Sequence, residues 1–150
     1  MLKRLLGRTP LDLDLGLLIV RLVIGLSMVG FHGWAKLTGG TEFWAQVGGG
    51  MSDLGIDFAP TFWGFLAAFS ESIGSILLVL GILFRPASAM LAFTMLVAVV
   101  VHVNMPAESP NSGWSGASHA LELMGVYVAL FLTGAGKYVV PGLGAAGAKR

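Results

Sequence analysis

Four apolar stretches, each close to the length of a bilayer crossing, limit what this chain can fold into. They run from about Leu13 to Phe31, Pro60 to Phe84, Ala87 to Val103 and Ala117 to Ala135. A helix needs about 20 residues, rising 1.5 Å each, to cross about 30 Å of hydrocarbon. The interiors of all four lack proline, as continuous helices require. Nothing in the chain alternates with the period of two that barrel strands show, and a helix satisfies its own backbone groups in lipid. Composition points the same way. Hydrophobic residues make up 55% of the 150 and charged residues only 11%, against about 25% charged in soluble domains. The sequence therefore predicts an all-α polytopic membrane protein, a single domain over 1–150 built as a four-transmembrane-helix bundle.

The connections are uneven. Phe84-Arg85-Pro86 predicts a tight turn with Pro86 opening the third helix, so the second and third helices form an antiparallel hairpin. A long first loop, Gly33 to Ala59, contains Thr41-Glu42-Phe43-Trp44-Ala45-Gln46-Val47. This reads as a short interfacial helix, N-capped by Thr41, with Glu42 at its positive end. Gly48-Gly49-Gly50 should break it, and a second short turn is expected over Met51 to Leu54. The second loop, Asn104 to Gly116, holds Pro106 and Pro110 and is expected to be irregular. The glycine- and alanine-rich tail, 141–150, is expected to be mobile. Lys3, Arg4 and Arg8 before an apolar run imitate a signal peptide, but the run contains Arg21 and no small-residue cleavage motif follows it, so it reads as a retained helix.

Basic residues set an orientation. Four spans place both termini on one side with Lys3, Arg4, Arg8, Arg85, Lys137, Lys149 and Arg150, and leave only Lys36 on the other. That asymmetry predicts cytoplasmic termini in a multi-pass protein of the bacterial cytoplasmic (inner) membrane. Trp34, Trp44, Trp63 and Trp114 all fall at the opposite ends, where indoles would form an outer belt. The basic residues are scattered and form no nucleic-acid face, so no nucleic-acid partner is expected. The absence of cysteine excludes covalent c-type haem, a cysteine-ligated iron–sulfur cluster and thiol redox chemistry.

The ionisable residues within the spans are the candidates for function, because each costs about 2.5–3.5 kcal/mol to insert and such groups face the bundle interior. Arg21 lies in the first helix, Glu71 in the second and Glu122 in the fourth; His32, His102 and His119 lie toward the outer ends. Helical spacing aligns Arg21, Gly25, Met28 and His32, and likewise Ala67, Glu71 and Ser75, then Thr94, Ala98 and His102, then His119 and Glu122. These faces predict a polar pocket opening outward. Its floor is expected to hold Arg21 and Glu71, and its rim His32, Lys36, His102, His119 and Glu122. Simpler readings stand beside this one. Arg21 and Glu71 would serve equally as a buried ion pair fixing helix register. The histidines would serve as ordinary interfacial hydrogen bonders, and Lys36 as a snorkelling cation. No metal is expected, although His32, His102, His119 and Glu122 would suit zinc, copper or iron as an alternative.

The residues resemble the DoxX family of small four-helix membrane proteins over about Leu15 to Val139. The resemblance rests on Arg21 and His32-Gly33-Trp34-Ala35-Lys36-Leu37. It continues in Phe69-Ser70-Glu71-Ser72-Ile73-Gly74-Ser75 with the following leucine run, Gly81 and Arg85, and ends in Glu122 and Thr133-Gly134-Ala135-Gly136-Lys137-Tyr138. Departures are Ser75, where a second glycine is common, and Val139-Val140-Pro141, where a serine–leucine–aspartate ending is common. The family includes a subunit of a thiosulfate:quinone oxidoreductase and proteins associated with membrane redox complexes. The resemblance therefore implies a redox-associated accessory that binds a quinone or similar amphipathic ligand. His32, Arg21 or Lys36 would donate to its carbonyls, and Glu71 or Glu122 would relay protons. Two alternatives remain open: a non-catalytic structural or assembly subunit of a larger membrane complex, and proton-coupled transport. The implied partners are lipid and other subunits or a second copy, and catalysis itself is left open.

Overall fold

The computed structural model describes Gly7 and Thr9–Pro141; Lys3, Arg4 and Arg8, and the expected mobile tail beyond Pro141, lie outside the described residues. Within them are four helices long and apolar enough to cross a membrane: α1 (Leu13–Thr38), α3 (Pro60–Leu80), α4 (Phe84–Asn104) and α5 (Gly113–Thr133). A shorter α2 (Gly40–Gly48) follows α1. Large apolar side chains such as Ile19, Val23, Leu26, Phe31, Phe93 and Leu132 point outward. In water such surface would cost about 25 cal/mol per Å², a cost that lipid removes.

Asp12 caps α1, its Oδ1 accepting from Leu15 N at 2.9 Å, and Asp14 in the first turn suits the positive helix end. The helix does not stop at Phe31. It passes through a π turn at Val29–Gly33 and continues to Thr38. The reason is packing. Gly33 lies so close to the backbone of Glu71 that any Cβ would collide with that carbonyl, so the second half of α1 is held against α3. Gly39 and Gly40 then break the helix, Gly40 at φ 79°.

The short helix expected in the first loop is α2, and it packs antiparallel along the first half of α3. Two glycines permit the approach: a Cβ on Gly48 would strike the Pro60 carbonyl, and one on Gly64 the Trp44 carbonyl. Thr41 is not its cap; Gly39 holds that position without a side-chain bond. The helix ends at Gly48 within the glycine run, as expected, and the expected second turn is a 3₁₀ turn over Gly49–Leu54 closed by Gly55 in the left-handed region.

α3 carries its own π turn, Ser70–Gly74, and ends at Leu80 rather than Phe84. Gly81 adopts φ 74°, and Gly81 N and Ile82 N bond to the carbonyls of Leu78 and Leu77 at 3.2 and 3.0 Å. This glycine cap ends the helix early. The hairpin turn is thus Gly81–Leu83, α4 begins at Phe84, and Pro86 is its third residue instead of its first. α5 starts at Gly113, four residues before the expected Ala117, and ends where Gly134 turns the chain. A core of Met28, Leu78, Leu91, Met95, Val99, Tyr127 and Leu130 joins α1, α3, α4 and α5.

Candidate functional site

Glu71 sits beside the π turn's opening residue in α3, with only 3% of its side chain exposed. Its partner is Lys36, not Arg21. The Lys36 ammonium stands 2.7 Å from both carboxylate oxygens. The extension of α1 beyond Phe31 brings this about, because it carries Lys36 back against the bundle instead of out to the headgroups. A carboxylate this buried needs such a partner.

Arg21 does other work. It is 1% exposed and points away from Glu71. Its Nε donates to Leu78 O at 3.1 Å and its Nη2 to Val79 O at 2.7 Å. Its Nη1 donates to Ala135 O at 2.6 Å and Tyr138 O at 2.8 Å. The guanidinium also lies 5.6 Å from the centre of the Phe84 ring. Arg21 therefore caps the end of α3 and ties down the segment after α5. The expected Arg21–Glu71 floor is not formed, because a helical side chain leans toward its N-terminus, and that direction leads to these free carbonyls.

Five of the seven predicted residues do converge. His32, Lys36, Glu71, His102 and His119 line a chamber of about 180 Å³ in the half of the bundle nearer the loops, with Met28, Met95, Ala98 and Leu123 completing the walls. All four spanning helices contribute. The His32 and His119 rings lie 5.9 Å apart, and His102 Nδ1 lies 2.8 Å from Asn111 O. Glu122 is absent from this chamber. It lies on the exposed outer side of α5, because His119 already borders the chamber from the edge of the helix and the three-residue step carries Glu122 past that edge. No group of three or more His, Asp or Glu side chains is placed to hold a metal ion among the described residues, so the alternative ligand set His32, His102, His119 and Glu122 does not assemble.

A second cavity of about 470 Å³ adjoins the chamber. Its walls are mainly apolar: Phe43, Val47 and Met51 from the first loop, Trp63 and Leu66 from α3, Phe93, Val97 and Val101 from α4. Lys36, Glu71, Ala98 and His102 line both spaces, so the ion pair stands where an apolar slot meets a histidine chamber. The sequence reading did not anticipate the slot. Its signal was Phe43 in the loop, which needed α2 folded against α3 to become part of a wall. Among the described residues, the hydroxyls of Ser70, Ser75 and Tyr127 are buried without a partner.

The DoxX family model matches residues 16–104, from α1 to the end of α4, so that α5 lies outside the match. No curated protein and no solved structure matches the chain. Matched over more than half its length and folded with four membrane-length helices, the chain belongs to the DoxX family.

Proposed function

We propose that this protein binds a membrane-soluble amphipathic ligand of the quinone class and acts as a redox-associated accessory in the membrane. The observation that carries the reading is the slot itself: apolar walls with a paired lysine and carboxylate and a histidine at one end. Ligand sites are mostly apolar with a few convergent polar groups that fix orientation. A prenyl tail would lie along Leu66, Phe93 and Val97. A ring carbonyl would accept a hydrogen bond from Lys36 Nζ or from the His102 ring, and Glu71 would give up or take the accompanying proton. The histidine chamber behind the ion pair offers imidazoles for proton exchange with the loop side.

The test uses Trp63, which lines the slot. Decylubiquinone titrated into the detergent-solubilised protein is expected to quench tryptophan emission saturably. Ala67→Phe, which fills the slot, should abolish the saturable part while leaving the thermal unfolding midpoint near that of the parent. Linear quenching that Ala67→Phe leaves unchanged would refute the site.

A further inference from the structure

The histidine chamber holds two donors that quinone binding in the slot would leave unused. Met28 and Met95 line its walls beside His32, His102 and His119, with only 3% and 5% of their surfaces exposed. Met28 precedes His32 by four residues in α1, and Met95 precedes His102 by seven in α4. Both helices run toward the loop side at these positions. Each methionine therefore lies deeper than the histidine of its own helix, by about 6 and about 10 Å along the axis. The chamber is layered, with imidazoles toward the loops and sulfur toward the middle of the bilayer.

Imidazoles and carboxylates alone assemble no metal site among the described residues. Counting the thioethers changes the donor set. The His32 and His119 rings stand 5.9 Å apart, one on α1 and one on α5. An ion bonded at about 2 Å to one nitrogen of each ring bridges ring centres up to about 6 Å apart, so a common ion is within reach of both. His102 is engaged with Asn111 O, whereas neither His32 nor His119 has a hydrogen-bond partner among the described residues. The charge of the walls then selects among ions. Glu71 is the only carboxylate in the lining, and Lys36 already neutralises it. A hard divalent cation would find neither spare negative charge nor oxygen donors here. Thioether and imidazole together suit the soft monovalent ion Cu(I), and methionine is adaptable enough to bring its sulfur to an ion in an irregular cavity.

We propose that the chamber is a Cu(I) site, with the ion held between His32 and His119 and the Met28 and Met95 thioethers as its deeper donors. The site does not rest on the slot, whose ligand would meet Lys36 and His102 instead. Proton exchange in the chamber then belongs to His102, which stays outside the ion's ligand set.

The test uses the untagged, detergent-solubilised protein under anaerobic ascorbate, with bicinchoninate competing for Cu(I). The parent is expected to withdraw a single equivalent of Cu(I) from the dye complex, and X-ray absorption at the copper edge should show both nitrogen and sulfur neighbours. Losing an outer hydrogen-bond partner of a metal ligand costs about 10–100-fold in affinity, so His32→Gln and His119→Gln should each weaken binding by at least about tenfold. Met28→Leu and Met95→Leu conserve volume and should keep the unfolding midpoint. The double variant should lose the sulfur signal and weaken Cu(I) binding, while Met124→Leu, outside the chamber, should leave it unchanged. No Cu(I) withdrawn by the folded parent, affinity that survives His32→Gln and His119→Gln, or a sulfur signal that persists in Met28→Leu/Met95→Leu would each overturn the proposal.

Discussion

Arg21→Met keeps an unbranched apolar stem and removes every donor. Four carbonyls lose the guanidinium. Leu78 O keeps a second donor in Gly81 N, whereas Val79 O, Ala135 O and Tyr138 O are left without one. An unsatisfied buried carbonyl costs about 1–3 kcal/mol. Ala135 and Tyr138 are only partly covered and recover some of this from water. The expected loss is about 3–5 kcal/mol, with the stacking on Phe84 a smaller addition. At about 2–4 °C per kcal/mol for a chain of this size, the unfolding midpoint followed by tryptophan emission should fall by on the order of 10 °C. Arg21→Lys should lie between, since an ammonium cannot span four acceptors.

The loss should also be local. The segment that Arg21 holds contains Lys137, which Asp14 holds more weakly through a 3.0 Å bond to its backbone N–H and a 3.7 Å ion pair. Asp12, then Tyr138, raise the Lys137 ammonium above the usual lysine range, but an exposed pair of this kind is no anchor. Limited trypsin digestion should therefore cut after Lys137 earlier in Arg21→Met than in the parent protein. A midpoint shift below about 2 °C, with no faster cleavage at Lys137, would refute the capping role.

Two further substitutions probe the site. Lys36→Met strands the Glu71 carboxylate and should cost about 3–5 kcal/mol, while the double variant Lys36→Met/Glu71→Leu should regain most of that; thermal midpoints of the four proteins in a double-mutant cycle give the coupling. Gly33→Val should cost about 1–3 kcal/mol by forcing α1 from the Glu71 backbone, whereas Gly30→Val, where a Cβ meets nothing within 4 Å, should leave the midpoint unchanged.

Hydropathy alone carries the number and kind of the helices, because apolar length is a local property. The ends were less legible. Gly81 and Gly134 end α3 and α5 through left-handed or extended glycine geometry, a decision taken by one residue inside an otherwise apolar run. The site was half legible. His32, Lys36, Glu71, His102 and His119 meet because the expensive residues in a membrane helix have few places to go. Arg21 and Glu122 failed the same logic for different reasons. Arg21 found backbone acceptors at the end of a neighbouring helix and the chain beyond another, which no side-chain pattern announces. Glu122 found no partner among the described residues.

The largest error, the pairing of Glu71, traces to a change of helical phase. A 3.6-residue period carries the buried stripe of α1 from Arg21 to Gly25 and Met28, and predicts His32 next. The buried residue is Gly33, one position late, because the π turn at Val29–Gly33 inserts a residue into the repeat. That slip rotates Lys36 toward α3. The second π turn, Ser70–Gly74, lies directly opposite, where the Gly33 position meets the Glu71 carbonyl and the Ser72 amide. Each π turn is unfavourable in isolation and such turns collect at functional sites. Here the two occur at one level and flank one ion pair. Their cost is offset by the contact they permit: a glycine against a backbone, and beside it a lysine brought within 2.7 Å of a buried carboxylate. Straight helices from the same residues would keep the stripe regular and leave Glu71 without its lysine. The irregularity is thus what builds the wall between slot and chamber.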